Sequence, residues 1–200
     1  VRSVFEEIAT RGYDVRYYRL PVTPLDGHSW EQFDAIFDIC ERFGTDPVIF
    51  NCQTGRGRST VAMIIAGVMR FYQRKVKDPV MSDSLLDNEH QGLRHLVKLV
   101  TMLPNGRAHE RRVSIISDFT GETSSISARI KQAFRQEVTP MGLRLLSRYC
   151  RLVAFSRYCE QRLVEKSTDA TSFSQWVAKF PEVQAVLNSV SNVTALPQPL

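Results

Sequence analysis

The run Asn51-Cys52-Gln53-Thr54-Gly55-Arg56-Gly57-Arg58-Ser59-Thr60 constrains this chain more than any other stretch. A short apolar segment, Val48-Ile49-Phe50, feeds straight into it, and a largely apolar stretch from Ser59 to about Gln73 leaves it with helical spacing. The pattern reads as strand, tight loop, central helix. Gly55 and Gly57 permit sharp curvature and close approach of the backbone. The successive N–H groups of such a loop form an anion nest, and the positive end of the following helix points at the same spot. Gln53, Thr54, Gly55, Arg56, Gly57 and Arg58 are therefore the candidate phosphate-binding residues.

The cysteine at the mouth of this loop gives the nest a chemistry. A thiol at a helix N-terminus titrates at roughly 3.5–7.5 rather than near 8.5, so Cys52 would be a thiolate at neutral pH and able to attack phosphorus. Arg58 offers a planar fork of donors to two phosphoryl oxygens and to the charge of a transition state. Ser59 is placed to donate to the sulfur and help it leave. Arg56, in the middle of the loop, adds charge that favours a polyanionic ligand; the alternative is an arginine turned to solvent. A bare Cys-x5-Arg is common, but inside strand-loop-helix with two glycines it is specific.

Around this motif the pattern predicts an α/β arrangement with a parallel-sheet core. Asp14 to Val22 alternates as a strand would, with Val15, Tyr17, Tyr18 and Leu20, and Pro21 and Pro24 close it. Ser29 and Gln32 form a capping box, followed by Trp30, Phe33, Ile36, Phe37, Cys40 and Phe43 at helical spacing up to Gly44. Two strands are too few for a free-standing sheet, so further strands are expected upstream or from another copy of the fold. Past residue 80 the chain reads as mostly helical. Helices are expected over 83–103, near 108–118, over 124–136, from Thr139-Pro140 to about Lys166, and over 172–179 and 182–190.

Composition narrows the partners. The formal charge is +5 and the pI about 9.2, which favours anions in general: phosphorylated small molecules, phosphoproteins, or a membrane surface met through its headgroups. Aromatic-interleaved basic patches are absent, which argues against nucleic acid. No apolar run reaches the length of a membrane span. The spacing of Cys40, Cys52, Cys150 and Cys159 fits no zinc pattern, disulfides are not expected, and a cytoplasmic, reducing location follows as the expectation.

The loop Cys-Gln-x-Gly-Arg-Gly-Arg resembles that of the paladin and phytase-like branch of the cysteine-dependent protein tyrosine phosphatase superfamily. Tyr18-Arg19-Leu20-Pro21-Val22, the segment from Leu93 ending Leu103-Pro104-Asn105-Gly106, and Phe173-Ser174-Gln175-Trp176 are similar to that branch in the same order. The resemblance implies a metal-independent phosphatase without cofactor, working through a cysteinyl-phosphate intermediate. Cys52 would be nucleophile, Arg58 clamp and Ser59 thiolate helper, and inositol phosphates or phosphoinositides would be substrates. Two alternatives stay open: a weak or inactive pseudophosphatase that binds phosphorylated ligands, and a protein tyrosine or dual-specificity phosphatase. The superfamily takes its general acid from an upstream loop, here Thr23-Pro24-Leu25-Asp26-Gly27-His28. Asp26 is the candidate, although the branch places an aspartate directly after the threonine and Asp26-Gly27 also reads as a turn. His28 is a weaker alternative. Residues 1–80 are expected to carry the phosphatase core with its acid loop and phosphate-binding loop. Residues 81–200 are expected to form the helical C-terminal part of the same domain, within a fragment of a longer multi-domain protein.

Overall fold

The computed structural model describes residues 2–23, 28–44, 46–55, 57–74, 84–87, 91–121, 125–135, 138–167, 169 and 172–193. Among them the regular structure is helical: α1 (Arg2–Thr10), α2 (Trp30–Phe43), α3 (Arg58–Gln73), α4 (Arg94–Met102), α5 (Gly106–Asp118), α6 (Ile126–Ala133), α7 (Pro140–Cys159), α8 (Phe173–Lys179) and α9 (Pro181–Val193). A π-helical turn, Glu160–Val164, prolongs α7.

Local chemistry accounts for these boundaries. The backbone N–H of Ser29 donates to Gln32 Oε1 at 2.8 Å, the reciprocal half of a capping box, and Gly44 ends α2 at φ +53°. The Gln32 side-chain amide also donates to the Pro21 carbonyl, which ties the segment before α2 to its first turn. Thr139 Oγ1 accepts from Gly142 N–H at 3.0 Å, and Pro140 occupies the first helical position of α7. The expected helix over 83–103 is instead broken: 3₁₀ turns at Leu85–Asp87 and Gln91–Leu93 precede α4. Buried Glu110 explains the first turn, because it accepts from Leu85 N–H at 3.0 Å, from the Ser84 hydroxyl and from Tyr149 Oη at 2.9 Å.

α7 is the axis of the molecule. Leu146, Tyr149, Cys150, Leu152, Val153, Ala154 and Phe155 on it are wholly buried, and α3, α5, α6 and α9 pack around it. α2 reaches the same core through aromatics, with Phe33 5.3 Å from Phe155 and Phe37 5.5 Å from Tyr158, centroid to centroid. Full burial of one such ring contributes ~1.5–3 kcal/mol, so this cluster fixes where α2 and α3 lie. Asp34 on α2 joins the layers by capping α8: it accepts from Phe173 N–H at 2.6 Å.

The expected parallel-sheet core is overturned. No β-strand occurs among the described residues, and the architecture is helical. The two stretches read as strands, 14–22 and 48–50, are extended, but no backbone hydrogen bond joins one to the other or to another described segment. Alternating apolar residues favour extended backbone, but a ladder needs a neighbour for its N–H and C=O groups, and here the alternation lacks one. The uncovered side chains show it: Ile49 is 91% exposed, and Val15 and Tyr18 are exposed too. The first stretch instead lies across helix ends, with Tyr17 stacked on Phe5 at 4.9 Å and Tyr18 tilted on Phe43 at 5.9 Å. No helix among the described residues is long and apolar enough to cross a membrane.

Candidate functional site

The loop between residues 52 and 58 sits where the extended stretch 47–51 meets the N-terminus of α3. Gly55 adopts φ +69°, a left-handed conformation that a side chain would strain, so the turn depends on glycine there. Gly57 is the N-cap, and its carbonyl accepts from Val61 N–H at 3.1 Å to start the helix. Gln53, Thr54 and Gly55 are exposed, Cys52, Gly57 and Arg58 half-buried, and Ser59 and Thr60 buried. Asp26 and Arg56 lie outside the described residues, as do Lys75, Lys77 and His90.

Electrostatics single out Cys52. Partial burial alone would raise its thiol, but the side chain and backbone of Ser59 and the backbone N–H groups of Thr54 and Gly55 outweigh that. They bring it from the ordinary thiol value of 9.0 down to about 6. The Ser59 hydroxyl faces the sulfur from a buried position without closing a bond of ordinary geometry to any group among the described residues. The other three cysteines behave oppositely. Cys40, Cys150 and Cys159 are buried, and burial pushes Cys150 up to about 12.

The Arg58 guanidinium reaches across to the preceding segment and donates from Nη1 to the Val22 carbonyl at 3.2 Å. This bond connects the base of the 52–58 loop to the residues that lead into the Thr23–His28 segment. The far end of that segment is anchored as well. His28 is 4% exposed, and Arg151 on α7 donates from Nη1 to its carbonyl at 2.8 Å. The Arg151 guanidinium lies 4.7 Å from the Trp30 ring centroid, so its position is fixed by stacking.

His28 corrects the expectation of a surface loop histidine with spare acid character. Burial first, then the positive charges of Arg148, Arg151 and Arg58, lower it from 6.5 to about 4, so its ring is neutral at pH 7 and has no proton to give as an acid. Nδ1 of this ring has no hydrogen-bond partner among the described residues.

Arg148 and Arg151 are the functional candidates that the sequence reading misses. They stand three residues apart on one face of α7, 90 or more residues beyond the loop. Arg148 Nη1 comes within 3.6 Å of the point where a Cβ on Gly57 would stand. The available signal was a row of arginines, Arg144, Arg148 and Arg151, in the first half of a largely apolar helix. Such a row is hard to place without knowing which face meets the loop. Arg16 and Arg19 are exposed. Arg16 lies over the Phe43 ring at 5.0 Å and near Asp14 at 3.6 Å.

A second polar cluster lies in the core between α3, α5 and α7. His109 Nδ1 is 3.1 Å from Ser156 Oγ and 3.0 Å from Tyr72 Oη, while its Nε2 is 3.3 Å from Glu160 Oε2. Arg112 and Arg157 also reach Glu160, at 3.5 and 2.8 Å. His109 and Ser156 are wholly buried.

Comparison with known proteins agrees with the sequence resemblance. Residues 1–70 match the model of the phytase-like protein tyrosine phosphatase family, whose description is inositol hexakisphosphate. Paladin of Xenopus tropicalis is 28% identical over 209 residues, covering 86% of this chain and 23% of that protein. Paladin of Gallus gallus is 28% identical over 211 residues, covering 87% and 23%, and that of Homo sapiens 25% over 221 residues, covering 95% and 25%. The chain thus spans only 23–25% of the length of these relatives. No solved structure matches it. Over residues 1–70, which include the loop, the chain is thus similar to the phytase-like protein tyrosine phosphatase family, and along most of its length it is similar to paladin.

Proposed function

We propose that this chain is a cysteine-dependent phosphatase domain acting on phosphomonoesters, with inositol phosphates or phosphoinositides as its substrate class. The observation that carries the reading is the lowered thiol of Cys52, held by Ser59, Thr54 and Gly55 at the N-terminus of α3. In this reading residues 1–80 carry the site and residues 81–200 complete the same domain.

The chemistry follows in two displacements. The Cys52 thiolate attacks phosphorus, the P–S bond forms, and the P–O bond to the alcohol breaks. The leaving oxygen takes its proton from Asp26, the candidate general acid. Water then attacks the cysteinyl phosphate, inorganic phosphate departs, and the sulfur leaves as a thiolate with the Ser59 hydroxyl beside it. Arg58 and the loop N–H groups of Gln53 to Gly57 hold the equatorial oxygens through both steps, with Arg56 adding charge for a polyanion. For Arg58 this means exchanging its bond to the Val22 carbonyl for the phosphoryl oxygens.

A second reading is a pseudophosphatase that binds phosphorylated ligands without turnover. The link from Arg58 to Val22 favours it, since a clamp bonded to backbone is not yet committed to substrate. Phosphate release from a panel of inositol phosphates and phosphotyrosine peptides, with Cys52→Ser beside the parent, separates the two. A parent no faster than the variant on every substrate ends the enzyme reading. For the acid, Asp26→Asn should slow release from alkyl phosphates far more than from an activated aryl phosphate. An equal effect removes Asp26 from the role.

A further inference from the structure

We propose that the cleft at the junction of α4 and α5 is a docking site for an acidic peptide segment of a partner protein, with Arg107 and Arg111 taking two of its carboxylates. The site is separate from the 52–58 loop and stands whether or not that loop turns over phosphate. Arg112, in its lining, packs against Phe71 and Tyr72, and Tyr72 lies fourteen residues along α3 from Arg58. About 20 Å of helix therefore divides cleft from loop.

The cleft follows from how the two helices meet. Leu103, Pro104 and Asn105 alone join them, and Asn105 turns the chain in the left-handed region at φ +54°. A Cβ on Gly106 would collide with the Val100 carbonyl, so glycine lets the start of α5 press against the last turns of α4. Beside this contact lies a cavity of about 510 Å³, within the size range of ligand sites. Its lining joins the apolar Val100, Ala108 and Ile115 to three arginines, Arg107, Arg111 and Arg112.

Charge and shape decide what fits. Between positions 94 and 117 stand Arg94, Lys98, Arg107, Arg111 and Arg112, and the only acid is Glu110. Glu110 is buried and already accepts from Ser84, Leu85 and Tyr149. Arg112 is held by the Tyr72 hydroxyl at 2.7 Å and by Glu160 at 3.5 Å. Arg107 and Arg111 are exposed and make no hydrogen bond or ion pair among the described residues. They stand one turn apart on α5, with Cβ atoms about 6 Å from each other. That spacing suits two carboxylates on neighbouring turns of a helix or at alternate positions of an extended peptide, each held by a guanidinium fork. A bilayer presents a flat surface and cannot cover Val100, recessed at 7% exposure. Nucleic acid would use the arginines and leave the apolar lining wet. A peptide with carboxylates flanking an aliphatic side chain uses both.

The test is fluorescence anisotropy at low ionic strength, with the whole 200-residue chain and a labelled peptide of Glu-Glu-Leu repeats as the probe. The double variant Arg107→Glu with Arg111→Glu is set beside Arg16→Glu with Arg19→Glu, which changes the net charge equally on another face. Each is checked for folding by circular dichroism. The first pair should weaken binding about tenfold or more, and the second should stay within about twofold. A peptide with Ser in place of Leu should bind the parent about fivefold more weakly, because the apolar lining stays uncovered. If the double variant does not fold, Arg107→Gln and Arg111→Gln decide singly, each expected to lose about threefold. Equal loss in both pairs reduces the effect to overall charge and overturns the site. So does a parent that binds no peptide, or one indifferent to the leucines. Single-stranded DNA or phosphatidylserine vesicles that displace the peptide at matched charge would assign the cleft to another class of partner and overturn the peptide reading.

Discussion

Two polar centres among the described residues hold the parts of a nucleophilic site, and they differ in how those parts are committed. Ser156, His109 and Glu160 are aligned within 3.1 and 3.3 Å contacts, an order that on paper resembles a hydroxyl, a base and its orienting acid. Every member is committed, however. Tyr72 and Ser156 share one ring nitrogen, two arginines hold Glu160, and both Ser156 and His109 are sealed from solvent. Cys52 has the reverse character: a half-buried thiol, the proposed nucleophile, lowered by donors that stabilise its charge. Access and donors to the charged form separate the proposed reactive centre from a structural one; alignment of side chains does not.

Four measurements sharpen or break that contrast. The largest effect belongs to Cys52→Ser, which should cut phosphate release by roughly 10³-fold or more, while Ser156→Ala stays within about twofold. Comparable losses in both would dissolve the distinction. Next, Glu160→Ala takes a carboxylate from Arg112, Arg157 and His109, although Arg157 keeps Glu165 and Arg112 keeps the Tyr72 hydroxyl, and should lower unfolding free energy by about 1–3 kcal/mol in urea titrations without changing alkylation of Cys52.

The third concerns His28. Its folded value of about 4 lies below the unfolded 6.5, so the unfolded chain binds more protons between those limits. The stabilisation is complete above pH 6.5 and is lost as pH falls towards 4, amounting to up to about 3 kcal/mol. His28→Gln should flatten that slope in denaturation series across this window. The smallest effect is a shift in a midpoint. Iodoacetamide should modify Cys52 with a half-maximal rate near pH 6 and leave native Cys40, Cys150 and Cys159 untouched. Ser59→Ala should move that midpoint upward; a downward move would remove Ser59 from its role beside the sulfur.

The helices were legible because their signals are local. Ser29 with Gln32, Thr139 with Pro140, and the periodic aromatics of α2 each act within a few residues, and the structure uses them as the pattern predicts. The local geometry of the loop was legible for the same reason, since the left-handed Gly55, the lowered thiol of Cys52 and the N-terminus of α3 are contiguous. The sheet was misread because a strand is a relation between two segments. Val15, Tyr17 and Ile49 report an extended preference and say nothing of a neighbour. The break before α4 depends on Glu110, which comes after it in the chain, and the approach of Arg148 to Gly57 spans more than ninety positions. His28 stands in a loop by its sequence setting, whereas its titration is set first by burial and then by arginines from two helices.

The exposed Ile49 carries a consequence for how this protein is assayed. Cys52, the proposed nucleophile, follows residues 47–51, which make no backbone hydrogen bonds to another described segment, while the buried core gathers around α7. Segments of this kind open at a cost well below that of global unfolding, so amide protons at 49–53 should exchange with deuterium far sooner than those of α7. A melting temperature therefore monitors the scaffold and is nearly blind to the reactive loop. A variant can keep its transition unchanged and still have lost the geometry around Cys52, which makes local exchange the sounder measure of competence.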